Sequence, residues 1–142
     1  MTTRYTSQSE EQTIQIAQDF ATTLKGGEII ALYGDLGMGK SVFARAIIRA
    51  LCDDPDLLVP SPTFSLLQTY EADIAEIWHF DLYRLEQPDD VYELGWEEAL
   101  SGGIILLEWP ERIGNLLPAR TKKVIFSEKT NNLREIRIEE HA

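Results

Sequence analysis

The sequence has few of the residues from which disulfides and metal clusters are built. Cys52 is its only cysteine, and His79 and His141 are its only histidines. A single cysteine forms no intramolecular disulfide, and a Cys/His metal site needs more ligands than these. We therefore predict no disulfide partner for this chain and an inert Cys52 thiol.

Long apolar runs and basic residues are also scarce. No apolar run reaches the roughly 18 residues of a membrane span, and residues 1–11 are polar throughout. We therefore expect no membrane partner, no charged-then-apolar leader and a cytoplasmic location. With 13 Lys and Arg against 24 Asp and Glu, the net charge is −11. This balance argues against a free-standing nucleic-acid binder. Of two explanations for the excess of acidic residues, we prefer that they keep the protein soluble, rather than that they bind a partner with basic patches.

The length of 142 residues fits one domain, 1–142, with a real core. A second catalytic domain of ordinary size has no room in it.

The most informative stretch is 34–41, Gly-Asp-Leu-Gly-Met-Gly-Lys-Ser. Its glycines allow the backbone to curl so that N–H groups converge on an anion. Lys40 would reach the β- and γ-phosphates, and the Ser41 hydroxyl would bind Mg²⁺. The spacing predicts a nucleotide-binding P-loop. Its binding residues are Asp35, Leu36, Gly37, Met38, Gly39, Lys40, Ser41 and Val42.

The flanks of this stretch favour a P-loop over a plain glycine-rich turn. Residues 28–33 are typical of a buried parallel strand, and residues 41–51 place apolar side chains on one helical face. The remaining pattern predicts a capped helix from Ser9 to Leu24, hairpins over 64–83 and 121–139, a helix over 88–102 with a solvated acidic face, and a strand over 103–108. The fold class is therefore α/β: a mixed sheet with a largely parallel centre and antiparallel hairpins, flanked by helices.

A proline-stiffened loop follows the P-loop helix. Pro60 and Pro62 fix their φ angles in a segment that ends in Thr63. This segment could aim Thr63 or Ser61 at a metal or γ-phosphate, as a nucleotide-sensing switch loop does. A loop that is merely rigid fits the same pattern, and on pattern alone we prefer it.

Two acidic residues end predicted strands. Asp81 lies between large apolar neighbours and would need a cation or hydrogen-bond donors if buried. Mg²⁺ or an ion pair with Arg84 would supply the cation. A strand-end cap would supply the hydrogen-bond donors. Glu108 ends a short apolar run typical of a central parallel strand, at the edge where a P-loop holds its metal. It could bind Mg²⁺, hold a metal-bound water or polarise the attacking water.

Two other residues near these acids have open roles. His79 precedes Asp81 by two positions, and a plain structural histidine is the favoured interpretation. Trp109 follows Glu108 directly. It would cover the site, meet a partner, or pack in the core.

The P-loop, the Ser61-Pro62-Thr63-Phe64 loop, the strand segment 79–85 and the segment 108–112 together resemble the TsaE (YjeE) family. The resemblance implies a small ATPase with Mg²⁺ and ATP/ADP as cofactors. It would support the threonylcarbamoyl modification of adenosine 37 in tRNA by acting on a TsaB–TsaD pair, with tRNA reached only through these partners.

The same resemblance implies roles for individual residues. Lys40, Thr63, Glu108 and Trp109 match catalytic positions, and Ser41, Asp81 and Glu108 match metal-site positions. Met38 stands where the family often has a small residue, and Ser41 replaces a common Thr. Neither change removes a required group.

Two alternatives to a partner-directed ATPase stay open. One is a nucleotide-dependent interaction module with negligible hydrolysis, which would use the same site. The other is a small-molecule kinase, although the chain shows no Arg-rich lid and little room for an acceptor pocket. No Asn-Lys-x-Asp motif for guanine occurs, so a GTPase is disfavoured.

Overall fold

A computed structural model describes residues 1–35, 37–130 and 132–140. Seven strands form one mixed sheet in the order β1-β7-β6-β2-β5-β4-β3. The strands are β1 (Thr2–Ser7), β2 (Ile29–Tyr33), β3 (Leu67–Glu71), β4 (Glu76–Asp81), β5 (Ile104–Glu108), β6 (Lys122–Glu128) and β7 (Arg134–Glu139). The α-helices are α1 (Glu10–Ala21), α2 (Lys40–Leu51) and α3 (Trp96–Leu100), and 3-10 helices span Pro88–Leu94, Pro110–Arg112 and Gly114–Leu116.

The pairing pattern confirms the predicted mixed sheet. Strand β2 lies between β5 and β6 and is parallel to both, and β4 is parallel to β5. The pairs β3–β4, β6–β7 and β1–β7 are antiparallel. The two predicted hairpins therefore extend the parallel centre on either side.

The two faces of the sheet carry separate apolar clusters. On one face, Ile30 and Leu32 pack with Phe43 and Ile47 of α2 and with α1. On the other face, Ile105 and Leu107 pack with Phe80 and with Trp96 of α3. Alternate strand residues thus cover opposite faces, and the central strands are buried on both.

The register brings two predicted acidic residues side by side. In the parallel pairing of β4 with β5, Asp81 lies opposite Glu108 and His79 opposite Leu106. All four side chains share the face covered by α2, because Leu106 belongs to the cluster on that side. Since α2 begins directly after the P-loop, the carboxylates and the loop meet at one edge of the sheet.

Three elements differ from the sequence-based prediction. Strand β1 was not predicted, because five of its six residues are exposed and carry no apolar alternation. The predicted helix over 88–102 is a 3-10 helix and a short α-helix, separated by Gly95 in the left-handed conformation at φ 91°. The N-cap of α1 at Ser9 is confirmed, but the helix ends at Ala21 rather than at Leu24.

In the described part of the chain, no helix is long and apolar enough to cross a membrane.

Candidate functional site

The loop 34–39 turns the chain from β2 into α2. Gly34 has φ 143°, and a Cβ there would lie 2.9 Å from the Phe126 carbonyl oxygen. Gly39 caps α2 with φ 106°. Both positions thus require glycine, for close approach at Gly34 and for a left-handed turn at Gly39. The turn leaves the N-terminal end of α2 open toward a cavity. Asp35 is exposed at the start of the loop, and Leu36 lies outside the described residues.

Lys40, the first residue of α2, is buried, with 5% of its surface exposed. Its ammonium nitrogen lies 3.8 Å from the centroid of the Trp109 ring. Burial lowers the pKa of Lys40, while the nearby carboxylates of Glu108, Glu111, Asp81 and Asp35 oppose that shift. The P-loop lysine therefore rests on an aromatic face beside several negative charges.

Ser41 and Glu108 join α2 to the end of β5. The Ser41 hydroxyl donates to Glu108 Oε1 at 3.2 Å. The second carboxylate oxygen, Oε2, is 2.7 Å from His79 Nε2. Glu108 is 4% exposed and His79 is 2% exposed. Both oxygens of this buried carboxylate are thus engaged, one by the P-loop helix and one by β4.

Thr63 and Asp81 form a second oxygen pair at the same edge. The Thr63 hydroxyl donates to Asp81 Oδ2 at 3.3 Å, and the Tyr83 N–H donates to Oδ1 at 3.1 Å. Asp81 is therefore held by a strand-end cap together with Thr63. Arg84 instead places its guanidinium 4.3 Å from the Phe64 ring centroid, and it forms no ion pair with Asp81 within the described ranges.

Ser61 and Thr63 occupy the proline-stiffened loop. Their hydroxyl oxygens are 2.6 Å apart. The sequence left open whether this loop is merely rigid, and the structure places both residues at the cavity, with Thr63 on Asp81. Phe64, expected to start a strand, lies in a turn instead and is 81% exposed.

Trp109 has an unusual backbone conformation for a large residue, with φ 60° and ψ 50°. Its ring lies between two groups, Lys40 on one side and Tyr83 at 5.0 Å between ring centroids. It also packs against the edge of the apolar cluster around α3. Trp109 therefore both lines the cavity and packs partly in the core, which are two of the three roles that the sequence left open.

One cavity of about 450 Å³ collects most of the predicted residues. Its walls include Gly37, Met38, Gly39, Lys40, Ser41, Val42, Thr63, Asp81, Glu108 and Trp109. Asp35 is not among the lining residues. These residues come from four separate segments of the chain, and the tertiary structure brings them together around one cavity.

The cavity also has walls that the sequence analysis missed. They are formed by residues 7–10 and Thr13 around the start of α1, and by Asn132 and Arg134 around the start of β7. From sequence, Ser9 is indicated only as a helix cap. Nothing in the local pattern of Asn132 or Arg134 marks a site, because their place depends on the β6–β7 hairpin lying beside the P-loop.

Comparisons with known proteins match nearly the whole chain. A family model described as threonylcarbamoyl adenosine biosynthesis protein TsaE matches residues 7–136. The tRNA threonylcarbamoyladenosine biosynthesis protein TsaE of Rickettsia conorii is 47% identical over 130 residues, which are 92% of this chain and 74% of that protein. The Bacillus subtilis protein of the same description is 33% identical over 127 residues, or 89% of this chain and 78% of the relative.

A second Rickettsia relative and one solved structure agree with these matches. The TsaE protein of Rickettsia bellii is 53% identical over 110 residues, which are 78% of this chain and 76% of that protein. The crystal structure of Bacillus subtilis YdiB superposes with a TM-score of 0.80, covering 100% of this chain and 87% of YdiB at 23% identity. At that identity the superposition demonstrates a shared fold.

Proposed function

The chain belongs to the TsaE family of tRNA threonylcarbamoyladenosine biosynthesis proteins, and from this premise we propose that it is a Mg²⁺-dependent ATPase. Its nucleotide state would act on a TsaB–TsaD pair in the cytoplasm, and tRNA would be reached only through those partners. One observation carries the proposal: Lys40 and Ser41 line a single cavity together with the buried carboxylates Asp81 and Glu108.

The P-loop end of this cavity has the chemistry for a polyphosphate. The N-terminal end of α2 offers backbone N–H groups and the positive end of the helix dipole. Lys40 adds a point charge within reach of the same space. Together these groups would neutralise charge on the β- and γ-phosphates while phosphoryl transfer to water takes place.

The part of the cavity where Ser41 meets the acids fits a hard divalent cation. Its donors are the hydroxyl of Ser41 and the carboxylates of Asp81 and Glu108, and oxygen is the ligand that Mg²⁺ prefers. Two buried carboxylates next to one another also need positive charge. No cluster of three His, Cys, Asp or Glu residues that could hold a metal occurs in the described part of the chain, so Ser41, Asp81 and Glu108 would hold Mg²⁺ together with a bound nucleotide. The ion would supply positive charge to the phosphate groups.

Thr63 and Glu108 are the groups placed to orient the attacking water. Both lie on the wall formed by the carboxylates, and Thr63 is fixed by Asp81. Residues 7–10 and Arg134 also line the cavity, and they would contact the base and ribose. A nucleotide placed this way would lie with its γ-phosphate toward the acids.

A partner would read the nucleotide state where the switch-like loop meets the surface. Phe64 directly follows Thr63 and is 81% exposed, and its ring is covered only on one face by Arg84. If the nucleotide state changed the position of Thr63, the exposed aromatic ring of Phe64 would therefore move with it. This observation also supports the alternative, a nucleotide-dependent interaction module with negligible hydrolysis.

Phosphate release from ATP tests the proposal, measured with the chain alone and with the TsaB–TsaD pair and tRNA. We expect slow release by the chain alone, faster release with the partners, and loss of both in Lys40→Ala. Lys25→Ala, at an exposed lysine away from the cavity, is the matched control and should behave as wild type.

Three results would count against the ATPase. Wild-type activity and normal tRNA modification by Lys40→Ala would refute the role of the P-loop. ATP-dependent complex formation without any phosphate release would instead establish the interaction module. Transfer of labelled phosphate to a metabolite would favour the small-molecule kinase.

A further inference from the structure

His79 lies on the same face of the sheet as Asp81 and Glu108, two residues before the end of β4. Its Nε2 atom is 2.7 Å from Glu108 Oε2. With an ionised Glu108 carboxylate as the acceptor, His79 Nε2 is the donor of this hydrogen bond. We propose that His79 is a positioning residue, which holds the Glu108 carboxylate toward Ser41 and the cavity. This inference rests on the ATPase function proposed above.

The geometry around Glu108 shows why such a residue is needed. A glutamate side chain rotates about several bonds, and freezing these rotations costs conformational entropy. The contact of Oε1 with Ser41, at 3.2 Å, leaves the carboxylate free to turn about that one point. The short bond from His79 fixes the second oxygen from a different element of the fold. Two anchors on opposite sides thus define one orientation of the carboxylate.

Asp81 is held in a different way from Glu108. Its Oδ1 accepts a hydrogen bond from the backbone N–H of Tyr83, two residues along the same chain segment. Its shorter side chain is therefore held locally at the strand end. Glu108 belongs to β5, and its second anchor comes from the neighbouring strand. Both oxygens of Glu108 are held by side chains, those of Ser41 and His79, whereas one oxygen of Asp81 is held by the backbone.

A purely structural histidine would leave the polar atoms of the ring unexplained. His79 is 2% exposed, and its Nδ1 has no hydrogen-bond partner among residues 1–35, 37–130 and 132–140. Burying an unpaired ring nitrogen is unfavourable. The preceding residue on this face of β4, Ile77, is fully buried and apolar. An apolar residue would fill the position of His79 without that penalty, so the bond to Glu108 is what the imidazole adds.

Steady-state ATP hydrolysis separates positioning from packing. His79→Leu removes the donor, His79→Gln keeps an N–H donor on a side chain of similar reach, and Ile77→Val alters packing on the same strand and face. Hydrogen-bonded partners that orient a site residue are typically worth about 10- to 100-fold in activity. We expect His79→Leu to lower kcat by that factor with little change in KM for ATP. His79→Gln should recover most of the lost kcat. Ile77→Val should match wild type.

A double-mutant cycle with Glu108→Gln then tests whether His79 acts through Glu108. If it does, His79→Leu lowers kcat no further once Glu108 is already changed, so the two losses are not additive. Additive losses, equal losses in His79→Leu and His79→Gln, or no loss in either would overturn the inference. Unfolding temperatures of all variants show whether each one is folded.

A second readout is independent of hydrolysis and of the folding of His79→Leu. Nitrogen-15 NMR of the histidine rings should show His79 protonated at Nε2, and Glu108→Gln should shift the His79 signals while those of His141 stay in place. Unshifted His79 signals would refute the contact. Wild-type protein that releases no phosphate, alone or with partners, would overturn the ATPase proposal and this role together. Active wild type with an unaffected His79→Leu would overturn the role of His79 alone.

Discussion

The ammonium nitrogen of Lys40 lies 3.8 Å from the centroid of the Trp109 indole ring. A cation–π contact of this kind is worth about 0.5 to 2 kcal/mol, with the larger values found away from water. Trp109 adopts a left-handed backbone conformation, which is costly for a large side chain. Phosphate groups entering the cavity would compete with the ring for the same cation.

We therefore expect nucleotide binding to change Trp109 emission. Of the three tryptophans, Trp78 and Trp96 are buried on the other face of the sheet, and only Trp109 lines the cavity. Titration with ATP should alter the fluorescence of wild-type protein, and Trp109→Phe should abolish the change. Trp96→Phe is the control and should retain it. A full response in Trp109→Phe would show that the ring does not sense the phosphates.

The lowered pKa of Lys40 predicts how ATP affinity depends on pH. Burial disfavours the charged ammonium in the free protein, and bound phosphates would favour it again. ATP binding should therefore take up a proton between the lowered pKa and the ordinary value for lysine, and affinity should fall as pH rises through that window. Calorimetry in buffers of different ionisation enthalpy measures this uptake. Lys40→Ala should show none.

The lowered pKa of Lys40 also affects the stability of the free protein. With rising pH, the free energy of unfolding should change in the opposite direction to ATP affinity. In that window the folded state binds fewer protons at Lys40 than the unfolded state does, so this residue makes the free energy of unfolding rise with pH. Denaturant unfolding of wild type and Lys40→Ala over alkaline pH would show the difference. A wild-type slope no steeper than that of Lys40→Ala would contradict the lowered pKa.

Gly34→Ala should destabilise the protein by about 1 to 3 kcal/mol. The added Cβ would lie 2.9 Å from the Phe126 carbonyl oxygen and 3.0 Å from the Phe126 Cβ, on a backbone with φ 143°. Because β6 cannot move without disturbing the sheet, the start of the P-loop must shift. Urea unfolding measures the loss. Gly102→Ala, at φ 122° with open space around it, is the control for backbone strain alone, and an equal loss there would remove the steric explanation.

Cys52 should react slowly with an alkylating reagent. Burial first, and then the charges of Asp54 and Asp73, raise the pKa of its thiol, so less thiolate is present at pH 8 than for an ordinary cysteine. The rate of iodoacetamide labelling should be several-fold lower in folded than in urea-unfolded protein, and it should keep rising above pH 9. Mass spectrometry follows the labelling, with Cys52→Ser as the blank. Equal rates in both states would contradict the prediction of an inert thiol.

The parts of this protein with strong local signals were predictable from sequence. Strand β2 and helix α2 carry continuous apolar patterns, Ser9 caps α1 as its residue type indicates, and the glycine spacing identifies the turn between β2 and α2. Strand β1 was missed because it is an edge strand with exposed, polar side chains, held by backbone pairing to β7. The sequence predicts one helix over 88–102, and its division at Gly95 goes with close packing on Trp78, which is distant in sequence.

The sequence by itself determined the chemical groups of the site: a glycine-rich turn followed by Lys40 and Ser41, two acids at strand ends, and a threonine after two prolines. Only the tertiary structure decided which of them touch. Ser41 meets Glu108 across 67 positions of chain, and His79 meets it across 29. These contacts exist because β5 lies between β2 and β4 in parallel register, which places Asp81 opposite Glu108 beside the start of α2. Local pattern carries no information about strand order, since order depends on how whole apolar faces pack together.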